Sequence, residues 1–143
     1  MKSVAAELDG EDAILDGEIV VLNDEGKSQF YDLMFNRSEP IFAAFDILWL
    51  DGEDRRDLPL WERKSILEGC LRKPSERVLY VDHIEREGRQ LYEEVCERDL
   101  EGIVCKPSLS PYRLVGGQTT WIKVKNPDYS QAEGRGELFN KRR

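Results

Sequence analysis

An α+β fold, with largely antiparallel sheets flanked by helices, follows from the spacing of apolar residues along the chain. Apolar runs of strand length recur at 13–22, 41–50, 78–84, 102–106 and 119–125, each bounded by turn residues. Helical patterns occupy 59–71 and 88–98. The order lacks the regular strand and helix alternation of a doubly wound sheet, so antiparallel pairing is expected to dominate. With 143 residues, 40% of them hydrophobic, the chain suits a single domain with a core of its own.

Residues 3–8 read as the last turns of a helix, ended by Asp9-Gly10-Glu11-Asp12, so the chain is expected to begin mid-fold. In the strand at 13–22, period two sets Leu15, Ile19 and Val21 on one face and Asp16, Glu18 and Val20 on the other. Asn23-Asp24-Glu25-Gly26 supplies a turn, and 28–34 reads equally as a short helix or an edge segment. The run Ile41–Leu50 is apolar on both pleat faces apart from Asp46, which suits a central strand covered on two sides; Asp51-Gly52 turns the chain after it. Pro59 opens a helix for which Asp57 is a candidate cap, with Leu60, Trp61, Lys64, Leu67 and Leu71 as a mostly apolar stripe. The 78–84 strand carries His83 at a half-exposed polar position, to which no chemistry is assigned. The 88–98 helix is expected to bury Leu91, Tyr92 and Val95.

Charge narrows the function classes. A formal net charge of -8 argues against indiscriminate nucleic-acid binding. The average hides a polarity: residues 1–105 carry 13 basic against 26 acidic side chains, a net of -13, and residues 106–143 carry 8 against 3, a net of +5. The basic end includes Lys106, Arg113, Lys123, Lys125 and Arg135 and closes with Lys141-Arg142-Arg143; it reads either as a solvated tail or as a surface that meets phosphate. No apolar stretch reaches the roughly 18 to 20 residues of a membrane span, and the acidic start is unlike a signal peptide. A soluble, cytoplasmic protein with no membrane partner is expected. Cys70, Cys96, Cys105 and His83 make no zinc-binding spacing, and the cysteines are expected as small buried side chains in a reducing compartment.

Three places put charge where a strand should be apolar. Asp16-Gly17-Glu18 interrupts the first strand with a glycine that leaves room for something to approach the backbone. Glu101-Gly102 repeats the arrangement just before Ile103-Val104. In Trp121-Ile122-Lys123-Val124-Lys125, alternation sets both lysines beside Trp121 on one face, with Ile122 and Val124 anchoring the other. Two adjacent ammonium groups repel, so an anion between them is stabilising. Taken singly, the acidic sites read as strand ends and the lysines as a solvated face or guarded edge. Taken together, carboxylates able to hold a hard divalent cation and lysines able to hold phosphate are the two halves of a nucleotide site.

The series Leu15-Asp16-Gly17-Glu18-Ile19-Val20, Phe45-Asp46-Ile47-Leu48-Trp49-Leu50-Asp51-Gly52, Glu101-Gly102-Ile103-Val104-Cys105-Lys106 and Trp121-Ile122-Lys123-Val124-Lys125 resembles the ordered motifs of the covalent nucleotidyltransferases. It is most similar to the adenylation domain of ATP-dependent DNA ligases. Asn126-Pro127-Asp128-Tyr129-Ser130-Gln131 with Glu137-Leu138-Phe139 resembles the bacterial end-joining branch. The resemblance implies a partial DNA-ligase and capping-enzyme nucleotidyltransferase core, ATP as nucleotide, Mg²⁺ or Mn²⁺ as metal, and nicked or broken double-stranded DNA as partner. In that family AMP passes from ATP to a lysine, then to a 5′-phosphate, and the 3′-hydroxyl displaces it. The resemblance further implies that Glu18 contacts the ribose or helps hold metal, Phe45 stacks on adenine, Glu101 binds the divalent cation, and Lys123 and Lys125 hold the α-phosphate. Lys106 matches the pattern as well, but strict alternation sets it on the face opposite Glu101, which implies a lesser part in nucleotide binding.

The family's nucleophile is the lysine of a Lys-x-Asp-Gly motif upstream of the Asp-Gly-Glu strand. No lysine in these 143 residues is followed by x-Asp-Gly. An amine with an ordinary pKa of about 10.4 needs local tuning to attack at neutral pH, so a distant lysine is no simple substitute. The expectation is a single incomplete adenylation domain over 1–143, with 1–12 the remnant of a preceding helix and loop, 126–143 a basic tail, and no oligonucleotide-binding barrel. Such a chain is not expected to adenylate itself. Other readings stay open: a non-catalytic binding or interaction module, one half of a split ligase completed by a separate polypeptide or a second copy, and an RNA ligase or capping-type relative.

Overall fold

The computed structural model describes residues 12–29, 32–33, 38–72 and 75–132. The helix expected over 3–8, part of the 28–34 segment and the tail beyond 132 lie outside the described residues. The chain divides into two compact units, Met1–His83 with Lys106–Thr120, and Ile84–Cys105 with Trp121–Arg143.

In the first unit, β1 (Ala13–Val20), β2 (Ile41–Leu50), β3 (Glu53–Asp54) and β4 (Val78–Tyr80) form one sheet, and α1 (Leu60–Cys70) packs on it. β2 pairs antiparallel with β1 and β3 and parallel with β4, so a single crossover through α1 is set among antiparallel neighbours. Ala44, Ile47, Leu67, Cys70 and Val78 form the core, with Leu15, Phe42 and Leu50 packed against it. Burying a side chain such as Ile47 or Leu67 contributes about 1.5 to 3 kcal/mol. Asp51 and Gly52, with φ of 49° and 82°, make the two-residue turn that joins β2 to β3, as the Asp-Gly pair predicts. Asp12 braces that corner by accepting hydrogen bonds from Trp49 Nε1 at 2.9 Å and from the Gly52 amide at 3.2 Å.

The register of β1 with β2 slips twice, with Leu48 and Phe45 passed over in the pairing. Each slip is a bulge whose extra residue lies in β2. In β1, Leu15 packs on the core, while Ile19, expected on the same face, is 47% exposed and Val20 is buried. The 78–84 strand is shorter than expected and ends at Tyr80; Val81 still donates to the Ala44 carbonyl at 2.8 Å, and beyond it Asp82, His83 and Ile84 are exposed. Asp57 does not cap α1, whose first turn has no side-chain cap; Asp57 is paired with Arg113 instead. Trp61 lies half-exposed, and the buried stripe of α1 is Arg63, Lys64, Leu67 and Cys70, helical in spacing but carrying two cations.

In the second unit, α2 (Gly88–Glu97) packs on the antiparallel pair β5 (Gly102–Cys105) and β6 (Ile122–Lys125), and a 3₁₀ turn covers Ser130–Ala132. Val95 is buried and Leu91 and Tyr92 half-buried, the face expected of this helix. The Tyr92 hydroxyl donates to the Lys125 carbonyl at 3.0 Å, and Asn126 donates from its amide to Glu101 O at 2.8 Å and from Nδ2 to Leu100 O at 3.0 Å. Ile122, expected to anchor this sheet, is exposed. The cysteines differ from expectation as well: all three are thiols, but only Cys70 is buried, with Cys96 intermediate and Cys105 exposed. Among the described residues no helix is long and apolar enough to cross a membrane.

Candidate functional site

The residues singled out from sequence fall into two sets. Glu18, Phe45 and Lys106 belong to the first unit, Glu101, Lys123 and Lys125 to the second.

In the first unit Phe45 is one of the two bulge residues of β2, which frees its side chain from the alternation of the ladder. The Lys106 ammonium lies 4.6 Å from the centre of its ring, a cation on an aromatic face. Next to Phe45, Asp46 is fully buried and held by Arg63 through two parallel bonds, Nε to Oδ1 at 2.8 Å and Nη2 to Oδ2 at 2.9 Å. Arg63 also donates to the carbonyls of Leu58 and Ser110, so one buried guanidinium ties α1, β2 and the 106–120 segment together. Asp16 stands directly across the ladder from Asp46. Like charges so placed are destabilising, and each carboxylate has its own donor: Arg63 for Asp46, and the Tyr112 hydroxyl, at 2.8 Å, for Asp16. Burial first, and then the bond to Asp16, push the Tyr112 phenol up to about 12. Burial likewise lowers the pKa of Lys106, with Asp46 and Asp16 pulling it the other way. Lys64 is buried beneath these groups, donates to the Val81 carbonyl and lies 4.5 Å from the centre of the Tyr80 ring. Its pKa is lowered by burial and then by the charge of Lys106.

Glu18 is exposed on β1 opposite Ala43. What Gly17 admits is the protein's own neighbouring strand, since a Cβ there would lie 2.5 Å from the Ala43 carbonyl and from the Phe42 ring. Gly102 is explained in the same way. Its φ is +149°, and a Cβ would fall 2.2 Å from the Val124 carbonyl.

In the second unit, Lys123 and Lys125 face Val104 and Gly102 across the β5 and β6 ladder, on the shared face that period two sets for them. Lys123 Nζ and Glu101 Oε1 are paired at 2.8 Å, both side chains being partly exposed. Such a pair is worth about 0 to 1 kcal/mol, weak enough for a ligand to open. Among the described residues no group of three or more His, Cys, Asp or Glu side chains is assembled for a metal.

Sequence reasoning missed Arg63 and Tyr112; it singled out Asp16 only within Asp16-Gly17-Glu18 and placed Lys64 only in the stripe of its helix. The available signal was Asp46: a carboxylate in a strand apolar on both faces requires a buried cation, and the Arg63-Lys64 pair on the next helix supplies it.

A family model described as ATP dependent DNA ligase domain matches residues 1–125. The chain belongs to this family. The SPbeta prophage-derived DNA ligase-like protein LigB of Bacillus subtilis is 30% identical over 124 residues, covering 82% of this chain and 46% of LigB. The multifunctional non-homologous end joining protein LigD of Pseudomonas aeruginosa is 37% identical over 117 residues, covering 78% of this chain and 14% of LigD. Among solved structures, mycobacterial DNA ligase D complexed with ATP and MES matches with a TM-score of 0.65 at 30% identity, over 79% of this chain and 38% of that one. The ligase domain of Mycobacterium tuberculosis LigD matches with the same TM-score at 28% identity, over 79% of this chain and 37% of that one. The α+β architecture is thus that of the ligase nucleotidyltransferase core, and the chain spans less than half the length of these relatives.

Proposed function

We propose that this chain binds ATP and serves nucleotidyl transfer in the sealing of nicked double-stranded DNA. The observation that carries the reading is Phe45, displaced from its ladder by a bulge and carrying the Lys106 ammonium on its ring, in a member of the ATP-dependent DNA ligase family. Phe45 stacks on adenine, Lys106 adds a cation beside it, and Glu18 takes the ribose. Lys123 and Lys125 hold the α-phosphate, where fixed ammonium groups stabilise the negative charge that develops during transfer. Phosphate competes with Glu101 for Lys123, and the released carboxylate is then available to a divalent cation.

Mg²⁺ or Mn²⁺ fits this donor set, because such an ion is held through one or two carboxylates together with phosphate oxygens and water, without an all-protein cage. Glu101, with Glu18 as the second candidate, would hold it, and the ion would neutralise phosphate charge when bound.

The 1–143 segment, read as an incomplete adenylation domain, contains no Lys-x-Asp-Gly lysine, so its proposed part is nucleotide binding and phosphate positioning. Completion by a separate polypeptide or a second copy is proposed along β1, which stands at the end of the described strand order with Ile14 and Ile19 about half-exposed. The three thiols support a reducing, cytoplasmic setting. Thermal unfolding with each nucleotide tests the central reading. With Mg²⁺, ATP raises the midpoint and GTP does not, and radiolabelled ATP leaves no covalent adenylate; equal shifts with both nucleotides, or none with ATP, would refute it.

A further inference from the structure

The β5 and β6 ladder ends at the rung of Gly102 and Lys125, so Glu101, one residue further out, lies beyond the strand pairing that fixes its neighbours. The chain bends on either side of it, with φ of 55° at Asp99 and +149° at Gly102. The direction of the Glu101 side chain depends on the two peptide planes that flank its Cα, one carrying the Leu100 carbonyl and the other the Glu101 carbonyl. Asn126 donates to both: Nδ2 to Leu100 O at 3.0 Å, and the backbone amide to Glu101 O at 2.8 Å. Asn126 is buried, and its Oδ1 accepts the Asp128 amide at 3.0 Å, which sets the Nδ2 end of its side chain toward Leu100. The Tyr92 hydroxyl, donating to Lys125 O at 3.0 Å, ties the residue before Asn126 to α2. Held in this frame, the Glu101 carboxylate meets Lys123 Nζ at 2.8 Å.

We propose that Asn126 is a positioning residue, whose side-chain amide, by fixing the peptide that leads into Glu101, aims the Glu101 carboxylate at Lys123. The consequence for ligand binding rests on the nucleotide reading above: an acid and an ammonium kept together at one strand end are both in place for phosphate and its cation. The positional claim itself needs no ligand.

Nuclear magnetic resonance of the intact chain, labelled with ¹³C and ¹⁵N, tests it through two proton contacts. In the wild type the Glu101 γ-methylene protons show a nuclear Overhauser contact to the Lys123 ε-methylene protons, and the backbones of Ile103 and Val124 show theirs across the ladder. Asn126→Asp keeps an acceptor for the Asp128 amide but loses the donor and sets a carboxylate against the Leu100 carbonyl; Asn126→Ser removes the donor without adding charge. Both variants are expected to lose the Glu101 to Lys123 contact and to keep the Ile103 to Val124 contact. Survival of the first contact in either variant overturns the proposal. Loss of both contacts also overturns it, since Asn126 would then only be holding the sheet together. If neither variant folds, backbone relaxation of the wild type decides, because the Glu101 amide lies in the peptide plane that Asn126 Nδ2 holds. An order parameter equal to that of Ile103 upholds the proposal, and a lower one, toward the flexible range below about 0.6, overturns it. Titration of the same samples with ATP and Mg²⁺ separates the two readings. Contacts that follow Asn126 with no ATP binding in any sample uphold the positioning and refute the nucleotide reading, while ATP binding with a Glu101 to Lys123 contact indifferent to Asn126 does the reverse.

Discussion

Asp46 and Arg63 are both fully buried, and each depends on the other for its counter-charge. Removing one partner strands the other's charge in a site that water does not reach. Arg63→Ala is therefore expected to cost about 3 to 5 kcal/mol, read as a lower midpoint in urea unfolding. Replacing both partners with apolar residues of similar volume is expected to recover much of that loss, since no charge is then left unpaired. A cost under about 1 kcal/mol for Arg63→Ala would mean that the guanidinium is not the counter-charge described here. At this scale the sequence was half legible. Asp46 stands out as the one charge in an apolar run, but its partner lies 17 positions away on a helix whose expected stripe, Leu60, Trp61, Lys64, Leu67 and Leu71, does not include it.

Among the elements, β5 and β6 depend on a backbone approach that only glycine permits. Gly102→Ala would force a Cβ against the Val124 carbonyl, so the two strands are expected to separate locally. Hydrogen exchange would show this as lost protection of the Ile103 to Cys105 and Ile122 to Lys125 amides, with β2 unaffected; unchanged protection would contradict the close approach. The turn before α1 makes a second prediction. Asp54 is held below the usual carboxylate range chiefly by the hydrogen bond from the Arg56 side chain, and Asp57 chiefly by that from Arg113. Groups whose folded pKa is depressed contribute stability that is present above the unfolded value of about 3.9 and is lost as pH falls through the folded values. Asp57→Asn is thus expected to lower stability slightly at neutral pH and to flatten the acid limb, the variant and wild-type curves converging as pH falls below the folded value of Asp57. A wild-type acid limb in that variant would contradict the Asp57 and Arg113 pairing. Element types were readable from apolar spacing, and boundaries were less so. The two bulges in β2 were not, because a bulge depends on which strand lies alongside, and that strand is more than 20 residues away.

For the molecule as a whole, family membership was legible because four short motifs occur in a fixed order, each mixing charge into an apolar strand. The partition of those motifs was not legible. The chain enters the first unit at Lys106 and leaves it after Thr120, so that Lys106 is assigned with Phe45 while its sequence neighbours Glu101 and Cys105 belong to the second unit. Burial and contact across long separations decide that assignment, and neither has a local signature. The proposed role of the chain is ATP binding, with Phe45 and Lys106 of the first unit at the base. Its most direct test is a titration of the ¹⁵N-labelled chain with Mg²⁺ and ATP, followed by nuclear magnetic resonance. Saturable shifts at Phe45 and Lys106 are the expected result, and unchanged signals at both on ATP addition would contradict it.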